Sequence, residues 1–339
     1  MQGVENKTVA VLGAGSWGLA AALALERAGQ RVRIWGHRAE TIDSLRTKRS
    51  SPKLPNITLP RSFTFSSEMS EVILDADAVL FVTPAQTTAA VARAAAEFVS
   101  SDQRLIELSK GIEKGSLRRM TEVLLAEIPQ ARPEQVVALS GPSHAEEVAR
   151  EAPTSVVAAS VSEASAVWTQ ELFSSPSLRV YRSDDVIGVE IGGAVKNIIA
   201  IAAGIAQALQ LGDNTLGALV TRGLAEISRL GVKLGANPLT FAGLSGLGDL
   251  ITTCFSRHSR NRRLGELVGQ GTPLEAARES LGMVAEGVDT CVSVRDLALR
   301  EGVETPITEQ VYLTLFEAKD PREALRELMG RELKEEIWT

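Results

Sequence analysis

The stretch Thr8-Val-Ala-Val-Leu-Gly13-Ala-Gly15-Ser-Trp-Gly18 decides the fold of the N-terminal half of this chain. A short apolar run suited to a buried strand leads into Gly-x-Gly-x-x-Gly, and an alanine- and leucine-rich helical segment follows at once. Arg31-Val-Arg-Ile-Trp35 then supplies a second strand and completes a βαβ unit. A strand, a tight turn and a helix N-terminus in this order form an anion site for a pyrophosphate. We therefore predict that Gly13, Gly15 and Gly18 bind a dinucleotide.

The end of the second strand bears on which dinucleotide binds. Sites selective for NAD carry Asp or Glu there, which bonds the ribose 2′-hydroxyl, whereas this chain has Trp35-Gly36-His37-Arg38. Arg38 is suited to pair with a 2′-phosphate; the alternative is a solvated side chain at the start of a loop. The sequence thus favours NADP(H) and leaves NAD(H) open.

Length and composition set the class of protein. A chain of 339 residues with 44% hydrophobic and 23% charged residues is predicted to form two globular domains without a membrane span. Its net charge of −6 argues against a general nucleic-acid surface, so an anionic substrate needs a local cluster of basic residues. Two cysteines and three scattered histidines predict neither disulfides nor a metal site. We expect no signal peptide and a cytoplasmic protein.

Strand-like and helix-like segments alternate over residues 8–182, and helical periodicity alone continues from about residue 184. Such alternation is typical of a doubly wound, mainly parallel sheet. We predict an α/β Rossmann-type domain over residues 1–187 and an all-α domain over residues 188–339. Ligands of such sheets bind beyond the C-terminal ends of the strands. That edge, called the rim here, is predicted to hold Gly13–Gly18, Pro84, Lys110 and Gly141.

Lys196 is the leading candidate for the proton carrier that a hydride-transfer enzyme needs. It lies in the segment Gly188–Asn197, which is made mostly of small and apolar residues. A lysine in such surroundings loses solvation, which lowers its pKa and suits it to proton transfer. The alternative is a lysine whose ammonium group reaches solvent at the edge of the helix.

Other polar groups are predicted to lie near Lys196. Asp249 and Thr253 are four residues apart at a helix start and so share one face, suited to a substrate hydroxyl or to orienting the lysine. Alternatively, Asp249 only complements the helix dipole. Lys110 follows a buried strand, which puts a cation at the rim, and Gly141–Ala145 follows another strand as a second turn suited to anions.

The segment Ser256–Arg263 is the densest cationic patch of this acidic chain. Within it Ser259, Arg260 and Asn261 stand at a helix start, where a hydroxyl, a guanidinium and backbone N–H groups together resemble an anion clamp. A phosphate-bearing substrate fits this clamp; a solvated basic face is the alternative.

Taken together, these motifs resemble the two-domain bacterial family of NAD(P)-dependent sn-glycerol-3-phosphate dehydrogenases. The resemblance covers essentially the whole chain, and the combination is specific although each piece is not. The motifs that carry it are Gly13-x-Gly-Ser-Trp-Gly18, Ser109-Lys-Gly-Ile-Glu113, Leu139-Ser-Gly-Pro-Ser143, Gly193-Ala-Val-Lys-Asn197, Gly246-Leu-Gly-Asp249, Ser259-Arg-Asn261 and Val284-Ala-Glu-Gly287.

The resemblance implies reversible reduction of dihydroxyacetone phosphate to sn-glycerol 3-phosphate, with Lys196 as general acid and base. It implies a C-terminal domain like that of 6-phosphogluconate dehydrogenase, and a cytoplasmic homodimer that supplies glycerophospholipid synthesis. The implied substrate contacts are Lys110, Gly141, Ser143, Lys196, Asp249, Ser259, Arg260 and Asn261. The implied cofactor contacts are Ser16, Trp17, His37, Lys110, Ala145, Arg260, Val284 and Glu286.

Two other interpretations stay open at this point. Ketopantoate reductases and β-hydroxyacid dehydrogenases also pair a Rossmann domain with a helical one and use a lysine, but their substrates carry no phosphate for the clamp. A regulatory protein that senses NADP(H) without chemistry needs neither a desolvated lysine nor a clamp. Activity against a panel of substrates distinguishes the reductases and dehydrogenases from the glycerol-3-phosphate enzyme. The direction in which the Lys196 side chain points distinguishes a regulatory protein from an enzyme.

Overall fold

A computed structural model describes residues 4, 6–333 and 335–336. The N-terminal part holds one sheet and the helices that cover it. Its strands are β1 Thr8–Leu12, β2 Arg31–Trp35, β3 Thr64–Ser66, β4 Ala78–Phe81, β5 Arg104–Glu107, β6 Val136–Ser140, β7 Thr154–Ala159 and β8 Leu178–Ser183. Its helices are α1 Ser16–Arg27, α2 Ala39–Lys48, α3 Met69–Ile73, α4 Ala85–Ala95, α5 Met120–Glu127, α6 Ala145–Ala149 and α7 Glu163–Phe173.

The strands pair in the order β3-β2-β1-β4-β5-β6-β7-β8, and every neighbouring pair is parallel except β6 with β7. The predicted doubly wound, mainly parallel sheet is therefore confirmed. Because β1, β4, β5 and β6 run in the same direction, their C-terminal ends meet at one edge. The turns that follow these four strands form the rim.

Both faces of the sheet are covered, which explains why β1, β4 and β6 are largely apolar. In β1, Val9 and Val11 pack with α1, α6 and α7, whereas Ala10 and Leu12 pack with α3, α4 and α5 on the other face. Alternate residues of a strand point to opposite faces, so a doubly covered strand needs apolar side chains at every position. This three-layer core holds the rim in place.

The C-terminal part contains helices and no strand among its described residues. These helices are α8 Val186–Ala208, α9 Asp213–Lys233, α10 Asp249–Phe255, α11 Arg260–Gly269, α12 Leu274–Leu281, α13 Glu286–Glu301, α14 Pro306–Phe316 and α15 Pro321–Met329. The central helix α8 contacts α9, α10, α11, α13 and α14. Its length and composition would let it cross a membrane, but 78% of its most apolar stretch is buried inside the protein, as in a core helix.

The residue before α8 anchors the segment that leads towards α10. Asp185 caps the helix, since its Oδ1 accepts a hydrogen bond of 2.9 Å from the Gly188 N–H. Its Oδ2 accepts from the Thr240 hydroxyl at 2.6 Å and from the Asn237 N–H at 3.0 Å. One carboxylate thus satisfies the helix start and fixes the chain that leads towards α10.

Candidate active site

A buried carboxylate between two lysines stands where the rim faces α8. Asp249, the first residue of α10, is 1% exposed. Its Oδ1 accepts from the ammonium group of Lys196 in α8, and its Oδ2 accepts from Lys110 at 2.6 Å. Lys110 follows β5 and also donates to the Gly141 carbonyl, 2.9 Å away, in the turn after β6. The structure thus brings together four of the residues named from the sequence.

The interpretation of Lys196 as a lysine that reaches solvent does not fit this geometry. Lys196 is only 6% exposed. Its Nζ donates to Asp249 and, at 2.8 Å, to the hydroxyl of Thr253. Thr253 in turn donates to the Asp249 carbonyl at 2.6 Å, so its oxygen is free to accept from the lysine. An ammonium group has three donors, and these bonds use two of them. Among the described residues the third is available to a ligand.

Burial and charge shift the protonation of these groups in opposite directions. Burial is the main cause that lowers the pKa of Lys196 to about 8; Asp249 opposes this shift, and the charge of Lys110 adds to it. For Asp249, burial alone would raise the pKa, but the ammonium groups of Lys110 and Lys196 hold it below its usual range. The result is an ionised carboxylate that orients a lysine able to exchange its proton near neutral pH.

Small residues in α8 allow the rim to approach the lysine. Gly193 lies one turn before Lys196, and a Cβ atom there would lie 2.6 Å from the Ser140 Oγ and 3.7 Å from the Lys110 Cδ. Just before α10, Leu244–Gly248 forms a single π-helical turn, so the helix with Asp249 starts later than its sequence indicates. Such turns occur often at functional sites.

The turn after β1 fits the pyrophosphate of a dinucleotide. Gly13 has φ +137°, and a Cβ atom there would lie 2.3 Å from the Val82 carbonyl oxygen. A Cβ at Gly18 would lie 1.9 Å from the Gly13 oxygen, so this glycine lets α1 approach the turn. Around Gly15 the space is open, and no side chain caps the first turn of α1. Within the described part of the chain, the first N–H groups of α1 thus have no side-chain partner, as an anion site at a helix start requires.

Next to this turn, the residues that the resemblance implies as cofactor contacts differ in exposure. Ser16 is buried, and Trp17 is partly buried against the core of the sheet. His37 and Arg38 are exposed after β2, where the Arg38 Nε donates to the His37 ring at 3.3 Å. A guanidinium at this point, with no carboxylate between Trp35 and Arg38, fits a 2′-phosphate.

The predicted anion clamp forms the start of α11. The Ser259 hydroxyl caps that helix by accepting from the Arg262 N–H, while Arg260 donates to the Val284 carbonyl at 3.1 Å. The Asn261 amide nitrogen donates to the Asn197 Oδ1 at 2.9 Å. Because Asn197 accepts through its oxygen, its own amide nitrogen is the end that can donate to a ligand.

The remaining predicted residues lie on both sides of the region where the rim faces α10, α11 and α13, called the cleft here. Gly141 has φ +131°, the Ser143 hydroxyl donates to its carbonyl at 3.0 Å, and Ala145 begins α6. Glu286 begins α13 after the half-exposed Val284. Burial raises the pKa of its carboxylate to about 7, and the backbone of Ala85 in the Rossmann domain opposes that shift.

Two polar residues contact site residues directly, Thr253 and Asn197. From the sequence, Thr253 is one option for orienting Lys196, and Asn197 is an amide able to donate to a carbonyl or hydroxyl. The i,i+4 spacing of Asp249 and Thr253 was the available signal for the first. For Asn197, no spacing rule connects α8 with α11, because that contact depends on how the two helices cross.

Comparisons with known proteins agree across the chain. Residues 8–166 match the family described as NAD-dependent glycerol-3-phosphate dehydrogenase N-terminus, and residues 185–326 match the corresponding C-terminus. A protein of Enterococcus faecalis named glycerol-3-phosphate dehydrogenase [NAD(P)+] is 49% identical over 98% of both chains. One of Bacillus mycoides with the same name is 48% identical over 97% of both. The crystal structure of glycerol-3-phosphate dehydrogenase from Coxiella burnetii superposes with a TM-score of 0.92 at 38% identity, covering 96% of this chain and 99% of that one.

Proposed function

This chain belongs to the NAD-dependent glycerol-3-phosphate dehydrogenase family, and on that premise we propose how its residues perform the reaction. The protein is an NAD(P)-dependent oxidoreductase that reversibly reduces dihydroxyacetone phosphate to sn-glycerol 3-phosphate. We assign the acid–base step to Lys196, with Asp249 and Lys110 as its partners. The observation that carries this assignment is a desolvated lysine held by Asp249 and Thr253 beside a second ammonium group.

A nicotinamide cofactor held at the turn after β1 would supply the hydride that reduces C2 of the substrate. As the C2 carbonyl oxygen gains negative charge, Lys196 transfers a proton to it, and the lysine regains that proton from solvent in the next turnover. Two ammonium groups and one carboxylate leave the site one positive charge in excess. That charge stabilises the developing alkoxide, and it acts strongly because the groups are buried.

The substrate phosphate is proposed to lie at the start of α11. Ser259, Arg260 and Asn261 offer a hydroxyl, a guanidinium and an amide there, and the helix N-terminus adds its dipole. Asn197 joins them through Asn261, on the same helix as Lys196. This bond between α11 and α8 supports the proposal that phosphate binding and proton transfer occur at fixed relative positions.

The direct test is oxidation of NADPH, followed at 340 nm, with dihydroxyacetone phosphate and with unphosphorylated dihydroxyacetone. We expect turnover with the phosphorylated ketone, and at least a hundredfold lower kcat/KM without the phosphate, because charge-assisted hydrogen bonds are worth roughly 1.5–3 kcal/mol each. The same assay with NADH measures the contribution of Arg38. Absence of turnover with both cofactors, despite tight cofactor binding, would contradict the assignment.

The pKa of Lys196 sets the pH dependence in each direction. Reduction needs the protonated lysine, so kcat/KM for dihydroxyacetone phosphate is expected to be level below a pH of about 8 and to fall above it. Oxidation of glycerol 3-phosphate needs the neutral lysine, so its kcat/KM is expected to rise through the same pH. Stopped-flow or steady-state rates between about pH 6 and pH 10 measure both limbs. Profiles that bend in the same direction for both reactions would refute the role of Lys196.

We further propose that the protein acts as a homodimer in the cytoplasm and supplies glycerophospholipid synthesis. These three statements rest on the family to which the chain belongs. Sedimentation velocity at several protein concentrations tests the dimer, since a monomer at all of them would exclude it.

A further inference from the structure

Two histidines outside the proposed substrate and cofactor contacts meet across the cleft. His144 directly precedes α6 in the Rossmann domain, and His258 lies in the loop before α11. Their ring centroids are 6.1 Å apart, with planes inclined by 54°. The His144 Nε2 also lies 3.5 Å from the carbonyl oxygen of Thr252 in α10. Each histidine is adjacent in sequence to a proposed substrate contact, Ser143 or Ser259.

We propose that His144 is a positioning residue for the reaction, one that links the Rossmann domain to the catalytic lysine through α10. The proposed link does not depend on direct contact between His144 and Lys196; it passes through Thr252 and Thr253 of α10. Thr252 and Thr253 are consecutive, and the Thr253 hydroxyl accepts from the Lys196 ammonium group. A side chain of the Rossmann domain that engages the Thr252 carbonyl therefore fixes the part of α10 that holds the lysine. This inference rests on the proposed role of Lys196.

The charge state of His144 suits this task. Burial lowers its pKa, and the charge of Lys196 lowers it further; the Thr252 carbonyl, Asp249 of α10 and Glu147 of its own helix act in the opposite direction. The ring is therefore neutral at pH 7 and, with its hydrogen on Nε2, donates to the Thr252 carbonyl. A neutral donor can hold α10 without adding a further positive charge beside Lys196.

Two substitutions separate the hydrogen bond from the bulk of the ring. His144→Gln keeps an N–H donor at about the reach of Nε2, whereas His144→Phe keeps a ring without a donor. We expect kcat for His144→Gln to stay within about threefold of the wild-type value and kcat for His144→Phe to fall roughly tenfold, as one lost hydrogen bond allows. KM for NADPH is expected to stay unchanged, because the cofactor turn after β1 is untouched.

A measurement that needs no turnover accompanies the kinetics. Amide hydrogen exchange in α10, residues 249–255, is expected to be faster in His144→Phe and unchanged in His144→Gln. Arg150→Gln, an exposed change just after α6, is the matched control and is expected to leave both readouts at wild-type values. In a double-mutant cycle, His144→Phe and His258→Phe are expected to be non-additive, because the rings are in contact.

Three outcomes would overturn the inference. The first is a wild-type kcat in His144→Phe, and the second is equal impairment of both His144 variants with equal loss of thermal stability, which indicates a purely structural site. The third is α10 exchange that does not respond to His144→Phe. An inactive wild-type protein would instead overturn the proposed function, and the exchange measurement would still decide whether His144 holds α10.

Discussion

Replacing Lys196 with Met is expected to lower kcat for dihydroxyacetone phosphate reduction about a thousandfold, the middle of the range for loss of a general acid. Methionine has nearly the length of the lysine side chain and suits the apolar walls of α8, so the cleft keeps its shape. What is lost is the proton donor and one of the two positive charges beside the C2 oxygen. Steady-state and single-turnover rates with NADPH measure the effect.

The same substitution has a cost in stability that must be separated from the loss of chemistry. Asp249 keeps Lys110 as its partner, but the buried carboxylate loses one of two neutralising charges, and breaking a buried pair costs up to about 3–5 kcal/mol. We therefore expect a lower midpoint of thermal unfolding together with unchanged NADPH binding below that temperature. Tight cofactor binding by the variant shows that the Rossmann domain is intact.

Lys233→Met serves as the control for this experiment. Lys233 is an exposed lysine at the end of α9, away from the rim. Its replacement removes the same chemical group without touching the buried network, so both kcat and the unfolding midpoint are expected to stay near the wild-type values. Turnover by Lys196→Met within about tenfold of the wild-type rate would rule out the lysine as the general acid.

Much of the fold follows from patterns that act over short distances along the chain. The glycine turn after β1, the apolar strands and the helical periodicity after residue 184 each depend on neighbouring residues, and each predicted its element. The rim was predictable too, because parallel strands must end at one edge. The same argument predicts Lys110 and Gly141 at the edge that carries the turn after β1.

Contacts between segments that are distant in the sequence are harder to predict. Asp249 lies between Lys110 and Lys196 because of the way α8 and α10 pack against the rim. No short sequence motif predicts that packing. At the π-helical turn Leu244–Gly248, which delays the start of α10, a Cβ atom on Gly246 would lie 2.1 Å from the Phe241 carbonyl oxygen, and no short motif predicts this approach. A residue such as His144 acquires a role only through the opposite domain, so its sequence neighbours give no indication of it.

The crossing of α8 and α11 predicts a large effect of substitution at its glycines, because the two helices touch backbone to backbone. A Cβ atom at Gly265 would lie 2.0 Å from the Ile201 carbonyl oxygen, and one at Gly204 would lie 1.9 Å from that of Arg262. Neither obstacle is a flexible side chain that can move aside. Two glycines, one on each helix, thus set how near α11 comes to the helix that carries Lys196.

Gly265→Ala is therefore expected to destabilise the protein by about 2 kcal/mol, although alanine is the better helix former. Propensity alone favours the alanine by about 1 kcal/mol, whereas forcing packed backbones apart costs up to about 3 kcal/mol. Since α11 begins with the proposed clamp residues Arg260 and Asn261, the displaced helix is also expected to raise KM for dihydroxyacetone phosphate roughly tenfold. Denaturant unfolding and steady-state kinetics measure the two effects.

Gly217→Ala tests the same substitution where nothing opposes it. Gly217 is exposed in the interior of α9, and a Cβ atom there meets no atom within 4 Å. Only the higher helix propensity of alanine then acts, so the free energy of unfolding is expected to rise by up to about 1 kcal/mol. The two alanines should thus shift the unfolding midpoint in opposite directions. If Gly265→Ala is stabilised as much as Gly217→Ala, the α8–α11 crossing is not limited by these glycines, and the clamp takes its position from other contacts.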